Sequence, residues 1–196
     1  MTMTFKLVKA STRISRVRPP KEAALISRHA RQVGEIMFAW NGLQSALFEV
    51  FAALTDDDRY RARASREWHG MRSDKARRDA LLAEATARLA AQPKLLAELR
   101  WVHGCARDLS PHRNRIAHTP MWMAVVGVQA EVFPDLIGAG SRDVVSLVEA
   151  PVATTWRALR GDLYALTAFT RLIAVQLTDP HAMPLTFPRR PPFSSR

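Results

Sequence analysis

Ile36, Trp40, Leu43, Leu47, Val50 and Leu54 follow one another at alternating intervals of four and three residues. That spacing places all of them on one stripe of a long helix. A second helix is expected after Thr55, which reads as an N-cap with Asp56, Asp57 and Asp58 in the first turn, where carboxylates offset the helix dipole. Ser73 followed by Asp74 opens a third, carrying Leu81, Leu82, Ala85 and Leu89. Pro93 suits the first position of a fourth, with Leu95, Leu99, Val102 and Leu109 on its inner face. The pattern changes over residues 119–150. MWMAVVGVQAEVF is rich in Val and has little helical period; Pro134 and then Gly138-Ala139-Gly140 break the chain before DVVSLVE. Two short strands or an irregular excursion are expected there. From Pro151 the helical spacing returns in Trp156, Leu159, Leu163, Leu166, Ile173 and Leu177, with Gly161 a weak point. The fold class expected is all-α: an antiparallel bundle of four to five helices with an irregular or short β-hairpin insertion at about 120–150.

The two ends read differently from the body. Residues 1–20, closing on Pro19-Pro20, are expected to be a basic flexible arm. Residues 21–178 form the helical domain, and 179–196 a Pro/Arg-rich extended tail. With 196 residues and 47% apolar side chains, the chain can bury a core that offsets its folding entropy. No stretch approaches the roughly 20 apolar residues that cross a bilayer, and the amino terminus lacks an apolar signal-like run. The expected location is the cytoplasm, with no membrane partner. Cys105 is the single cysteine, which excludes an internal disulfide and a cysteine-based zinc site; a small core residue is the simplest reading.

Charge alters the picture of partners. The net charge is +11, and the arm carries Lys6, Lys9, Arg13, Arg16 and Arg18 with no acid. A basic arm on a mildly basic domain suits a polyanion such as RNA, and Arg13, Arg16 and Arg18 are its candidate contacts. Solvated Arg-rich ends are the alternative.

The chain offers few catalytic arrangements. A Gly-rich phosphate loop, histidines at metal spacing and a Gly-x-Ser-x-Gly elbow are all missing from it. His29, His69 and His103 lie on helical stretches without an obvious partner, and His181 lies in the tail. What remains is SPHRNRIAHTP, residues 110–120. Within it, Arg113-Asn114-Arg115-Ile116-Ala117-His118 resembles the RNA-cleaving motif of the HEPN family: an arginine, a polar residue directly after it, and a histidine a few residues on. Trp40-Asn41 is similar to a Trp-Asn pair on a long earlier helix of many bacterial members, and a final long helix after the motif also fits. The resemblance covers roughly residues 30–178.

The resemblance implies a metal-independent endoribonuclease, with no cofactor, acting as a two-fold homodimer whose two motifs line one cleft. It also implies a bacterial toxin or phage-defence setting, in which a cognate antitoxin would be a partner. The alternative is a non-catalytic HEPN-like module that binds RNA or a protein. Residue chemistry agrees with the first reading. RNA is cut without metal when its own 2′-hydroxyl attacks the adjacent phosphorus. His118 is the type of group that moves the proton near neutral pH. Arg113 would supply a permanent charge to the phosphate oxygens. Asn114, about 40° from His118 on a helix, would orient imidazole or phosphate. Arg115 and Trp122, beside the motif, are further candidates for RNA contact.

Local signals place the motif at a helix start. Ser110-Pro111 reads as an N-cap and first helical residue, which would put Arg113 and Asn114 in a first turn whose free N–H groups favour a phosphate. Thr119-Pro120 forces an early end after His118. Arg113 and His118 stand roughly 140° apart on one helix, so a single copy splays them. Two other arginine–histidine spacings compete. Arg63…His69 lacks the polar second residue, and Arg107-Asp108…His112 contains Pro111. The structural alternative has Asn114 and His118 satisfying buried backbone groups while Arg113 bridges to an acid such as Glu49. Trp40 and Trp156 are expected in the core, and Glu67-Trp68-His69 on a surface helix.

Overall fold

The computed structural model describes residues 20–55, 61–118, 121–126, 129–134, 152–179 and 190–193. These form five helices and one pair of strands: α1 (Pro20–Leu54), α2 (Arg61–Gly70), α3 (Asp74–Arg88), α4 (Pro93–His118), β1 (Met121–Val126), β2 (Gln129–Pro134) and α5 (Val152–Thr178). The protein is mainly helical. The strands pair antiparallel, with Met121 opposite Pro134 and Val126 opposite Gln129. No helix among the described residues is long and apolar enough to cross a membrane.

All six residues of the α1 stripe are buried, and they meet Trp156, Leu159, Leu163, Leu166 and Ile173 of α5 in one continuous core. Each such side chain stabilises the fold by about 1.5–3 kcal/mol on full burial. Thr167 and Thr170 enter this seam as buried polar residues, and each hydroxyl donates to the carbonyl one turn back, on Leu163 and Leu166 at 2.7 Å. That bond makes a buried hydroxyl tolerable. From α4, Leu95, Leu99, Val102, Cys105 and Leu109 complete the core. Cys105 is thus a core thiol.

Caps decide where several helices stop and start. Ser73 is the N-cap of α3, with extended backbone angles of −144° and 152° and its side chain accepting from the Ala76 N–H. Asp74 follows in the first turn, as its place after Ser73 predicts. Thr55 differs from expectation. Its hydroxyl donates to the carbonyls of Phe51 at 2.9 Å and Ala52 at 3.2 Å, so it closes α1 rather than capping the next helix. The second helix begins at Arg61, and Asp56–Asp58 lie outside the described residues. Trp68 also departs from the sequence reading. Glu67 and His69 are exposed, but Trp68 is 1% exposed and packs on Phe51 at 5.4 Å between ring centres. With Ala64 one turn earlier, it is the anchor that a short polar helix needs to dock on α1.

The largest correction concerns the motif. Ser110 and Pro111 do not start a helix; α4 runs unbroken from Pro93 to His118 with Pro111 inside it. Leu109 and Ile116 are buried on either side of that proline, so core packing on both flanks carries the helix through. The proline removes one backbone donor, leaving the Arg107 carbonyl without its usual acceptor role.

Part of the carboxyl-terminal segment lies against α4. Arg190 donates to both carboxylate oxygens of Glu98, at 2.9 and 3.2 Å, and its guanidinium sits 5.4 Å from the Trp101 ring centre. Phe193 packs on the same indole at 5.7 Å.

Candidate functional site

Arg113 projects from the last third of α4 toward α1 and α3. Its guanidinium sits 4.6 Å from the centre of the Trp40 ring and donates through Nη2 to Oδ2 of Asp74. The same Asp74 oxygen accepts from the Trp40 indole Nε1 at 3.0 Å. Its other oxygen accepts from Arg77 Nη1 at 3.4 Å. Arg77 in turn donates to the backbone carbonyls of Trp68 and Met71, at 3.1 and 3.3 Å, which ties the end of α2 to the start of α3. Three helices therefore hold one guanidinium: α1 supplies the aromatic face, α3 the carboxylate, and α4 the arginine. Only 13% of the Arg113 side-chain surface and 25% of that of Asp74 are exposed, so water weakens this pair less than it would at the surface.

Arg78, one turn after Asp74, is 4% exposed. Among the described residues, its Nη1 has no hydrogen-bond partner, nor does Nε of Arg113. Burial pushes the Arg78 guanidinium below the usual arginine range; Asp74 and Asp79 pull it back, and Arg113 pushes it down again. Neither carboxylate is idle. Asp79 accepts from Lys75 at 2.6 Å and lies 3.2 Å from His103 Nε2, partners that hold its carboxyl below the ordinary value.

The other sequence-predicted residues fall as follows. Asn114 is exposed beside Arg113 on α4, and Arg115 is half-buried. His118 is the last residue of α4, and its backbone alone is described. Trp122 lies on β1 with its side chain outside the described set, and Arg13, Arg16 and Arg18 lie outside the described residues altogether. Because α4 is continuous, Arg113 and Asn114 lie in its last third rather than its first turn, and the N–H groups expected to be free around them are engaged in the helix. The acid that bridges Arg113 is Asp74, whereas Glu49 faces Arg171 at 4.0 Å. In the competing pair, Arg107 is exposed and bonded to Asp108, and His112 is half-buried. Burial, followed by the charge of Arg115, lowers the His112 pKa from its ordinary 6.5. Among the described residues, no group of three or more His, Cys, Asp or Glu could hold a metal ion.

Asp74 and Arg78 are not identifiable as site residues by sequence motif. One signal was available: Arg78, Leu81 and Ala85 share the inner stripe of α3, so a cation occupies a position that the pattern reserves for apolar residues. The chain matches no family model, no curated protein and no solved structure.

Proposed function

We propose that the protein is a metal-independent endoribonuclease of the HEPN type, working as a homodimer on an antiparallel helical bundle, with the β1–β2 pair as its insertion. The observation that supports this reading is the seat of Arg113 on Trp40. Trp40 of the Trp-Asn pair and Arg113 of the motif are far apart in sequence, and in the fold the guanidinium sits 4.6 Å from the indole ring centre. In this reaction the RNA 2′-hydroxyl loses its proton and forms a bond to the adjacent phosphorus. The bond to the 5′-oxygen breaks, giving a 2′,3′-cyclic phosphate and a 5′-hydroxyl. His118 transfers the proton, Arg113 stabilises charge on the non-bridging oxygens, and Asn114 positions. Asp74 and Trp40 fix the guanidinium before substrate arrives, so little orientation entropy is left to lose. The roughly 140° between Arg113 and His118 on the continuous α4 is the reason for a dimer: the histidine of one copy serves the arginine of the other. Arg115, Trp122 and the arm residues Arg13, Arg16 and Arg18 contribute RNA affinity. The setting that goes with this activity is a cytoplasmic bacterial toxin or phage-defence effector, with an antitoxin as partner.

A second reading is favoured by one feature of the same site. Arg113 already has a carboxylate partner and little exposed surface, which suits a non-catalytic module that binds RNA or a protein. Incubating the chain with total RNA in EDTA separates the two. Cleavage that falls about a hundredfold or more in both Arg113→Ala and His118→Ala, with cyclic phosphate ends, fits the nuclease. Binding without cleavage fits the module.

A further inference from the structure

The carboxyl-terminal stretch Arg190-Pro191-Pro192-Phe193 lies on α4 and meets it at both of its ends. Glu98 and Trp101 stand three residues apart on that helix, close enough to share a face. The Arg190 fork engages both. Its Nε donates to Oε2 of Glu98 at 2.9 Å and its Nη2 to Oε1 at 3.2 Å, while the guanidinium carbon lies 5.4 Å from the indole ring centre. Two parallel bonds to one carboxylate set orientation as well as attraction. Phe193 packs on the same indole at 5.7 Å between ring centres, inclined by 32°. The two prolines between these anchors favour an extended backbone, so little chain entropy is lost when the stretch docks.

The seat is built without help from its occupant. Trp101 is backed by Phe169 of α5, edge-on at 5.1 Å, and Leu99 and Val102 beside it are buried in the core. Aromatic-lined surfaces of this kind are where proline-rich segments dock, and Glu98 adds selection for a cation. The occupant is held lightly: 46% of the Arg190 side-chain surface is exposed, and an ion pair open to water contributes little by itself. A tether makes up for this, because a segment on the same chain acts at an effective concentration on the order of 1 mM. We propose that Glu98 and Trp101 form a docking seat for a linear segment of a partner protein, in which an arginine precedes an aromatic residue by three positions in an extended, proline-containing stretch. Arg190–Phe193 is the built-in occupant that such a partner displaces. Arg113 comes 12 residues after Trp101, roughly 18 Å along α4, so the seat stands whether or not the chain cuts RNA.

The test uses the full chain and a fluorescein-labelled peptide of residues 188–195, read by fluorescence polarisation. The double variant Arg190→Ala/Phe193→Ala empties the seat from within. It should bind the peptide about tenfold more tightly than wild type, whose seat is filled by the tethered stretch. Adding Glu98→Lys to the emptied chain should lower the affinity about tenfold or more, since like charges then meet. A peptide that itself carries Arg190→Ala and Phe193→Ala should bind neither chain. Equal affinity of the original peptide for wild type and the emptied chain, or no binding to the emptied chain, overturns the proposal. So does an affinity that Glu98→Lys leaves unchanged. If the double variant does not fold, Arg190→Glu alone decides, because repulsion from Glu98 releases the stretch: tighter peptide binding than wild type supports the seat and unchanged binding ends it. Sedimentation of wild type and the emptied chain identifies the occupant. Equal masses support a partner protein, whereas a dimer lost on emptying assigns the seat to the same stretch of a second copy and overturns that choice.

Discussion

Asp74→Ala removes the carboxylate on which Trp40, Arg77 and Arg113 converge. The indole N–H, in a buried residue, loses its acceptor, at about 1 kcal/mol. Arg113 is left with its charge and only 13% of its side-chain surface in water. Removing one partner of a fully buried pair costs about 3–5 kcal/mol; at this partial exposure roughly 2 kcal/mol is the reasonable share. Loss of an acid from the first turn of α3 adds about 0.5 kcal/mol. The expected destabilisation is therefore about 3.5 kcal/mol, measured by urea unfolding followed by far-ultraviolet circular dichroism. The second arm is Arg113→Met, which keeps an apolar stem over Trp40 and removes the charge. If the carboxylate acts mainly as counter-charge, the double variant should be less destabilised than the two single variants added together, by about 1–2 kcal/mol. Additivity within about 0.5 kcal/mol would refute the reasoning, because Asp74 would then be a cap and an indole acceptor with no hold on Arg113.

Three further outcomes follow from the same contacts. Ser73→Ala should cost about 1 kcal/mol in urea unfolding by uncovering the Ala76 N–H at the start of α3; Ser73→Gly should cost less. Pro111→Ala should stabilise by about 1 kcal/mol, since α4 regains a backbone hydrogen bond that the proline denies it; a loss of stability would show that the packing of Leu109 and Ile116 depends on the proline. His112 has its folded pKa below the ordinary 6.5, through burial and then Arg115. Its neutral form is the one the fold favours, so the stability tied to it is present above the unfolded value and is lost as pH falls below about 6.5. His112→Gln should accordingly flatten the decline in melting temperature between pH 7 and pH 5, and an unaltered slope would contradict that assignment.

Sequence alone determined the elements whose signal is periodic or local. The stripe from Ile36 to Leu54 and that from Trp156 to Ile173 are buried as their spacing predicts, because a helix that repeats its apolar positions at three and four residues can hide them only on one face. Ser73 and Pro93 fix helix starts through their own side chains, and the structure places both as expected. Where a local signal competed with packing, packing prevailed. Ser110-Pro111 carries the chemistry of a helix start, yet buried side chains on both flanks keep α4 continuous through it. Thr55 is equally suited to bond forward or backward, and the carbonyls left free at the end of α1 took its hydroxyl. Trp68 shows no stripe within a ten-residue polar helix, so only its contact with Phe51 reveals it as an anchor. The candidate site was legible on α4 alone, as Arg113 and its neighbours. That Asp74 holds Arg113, that Trp40 lies beneath it, and that Arg78 is buried were decided by the tertiary structure. These residues stand on different helices, and nothing local links their positions. Only the packing of α1, α3 and α4 around a shared core sets which charge faces which.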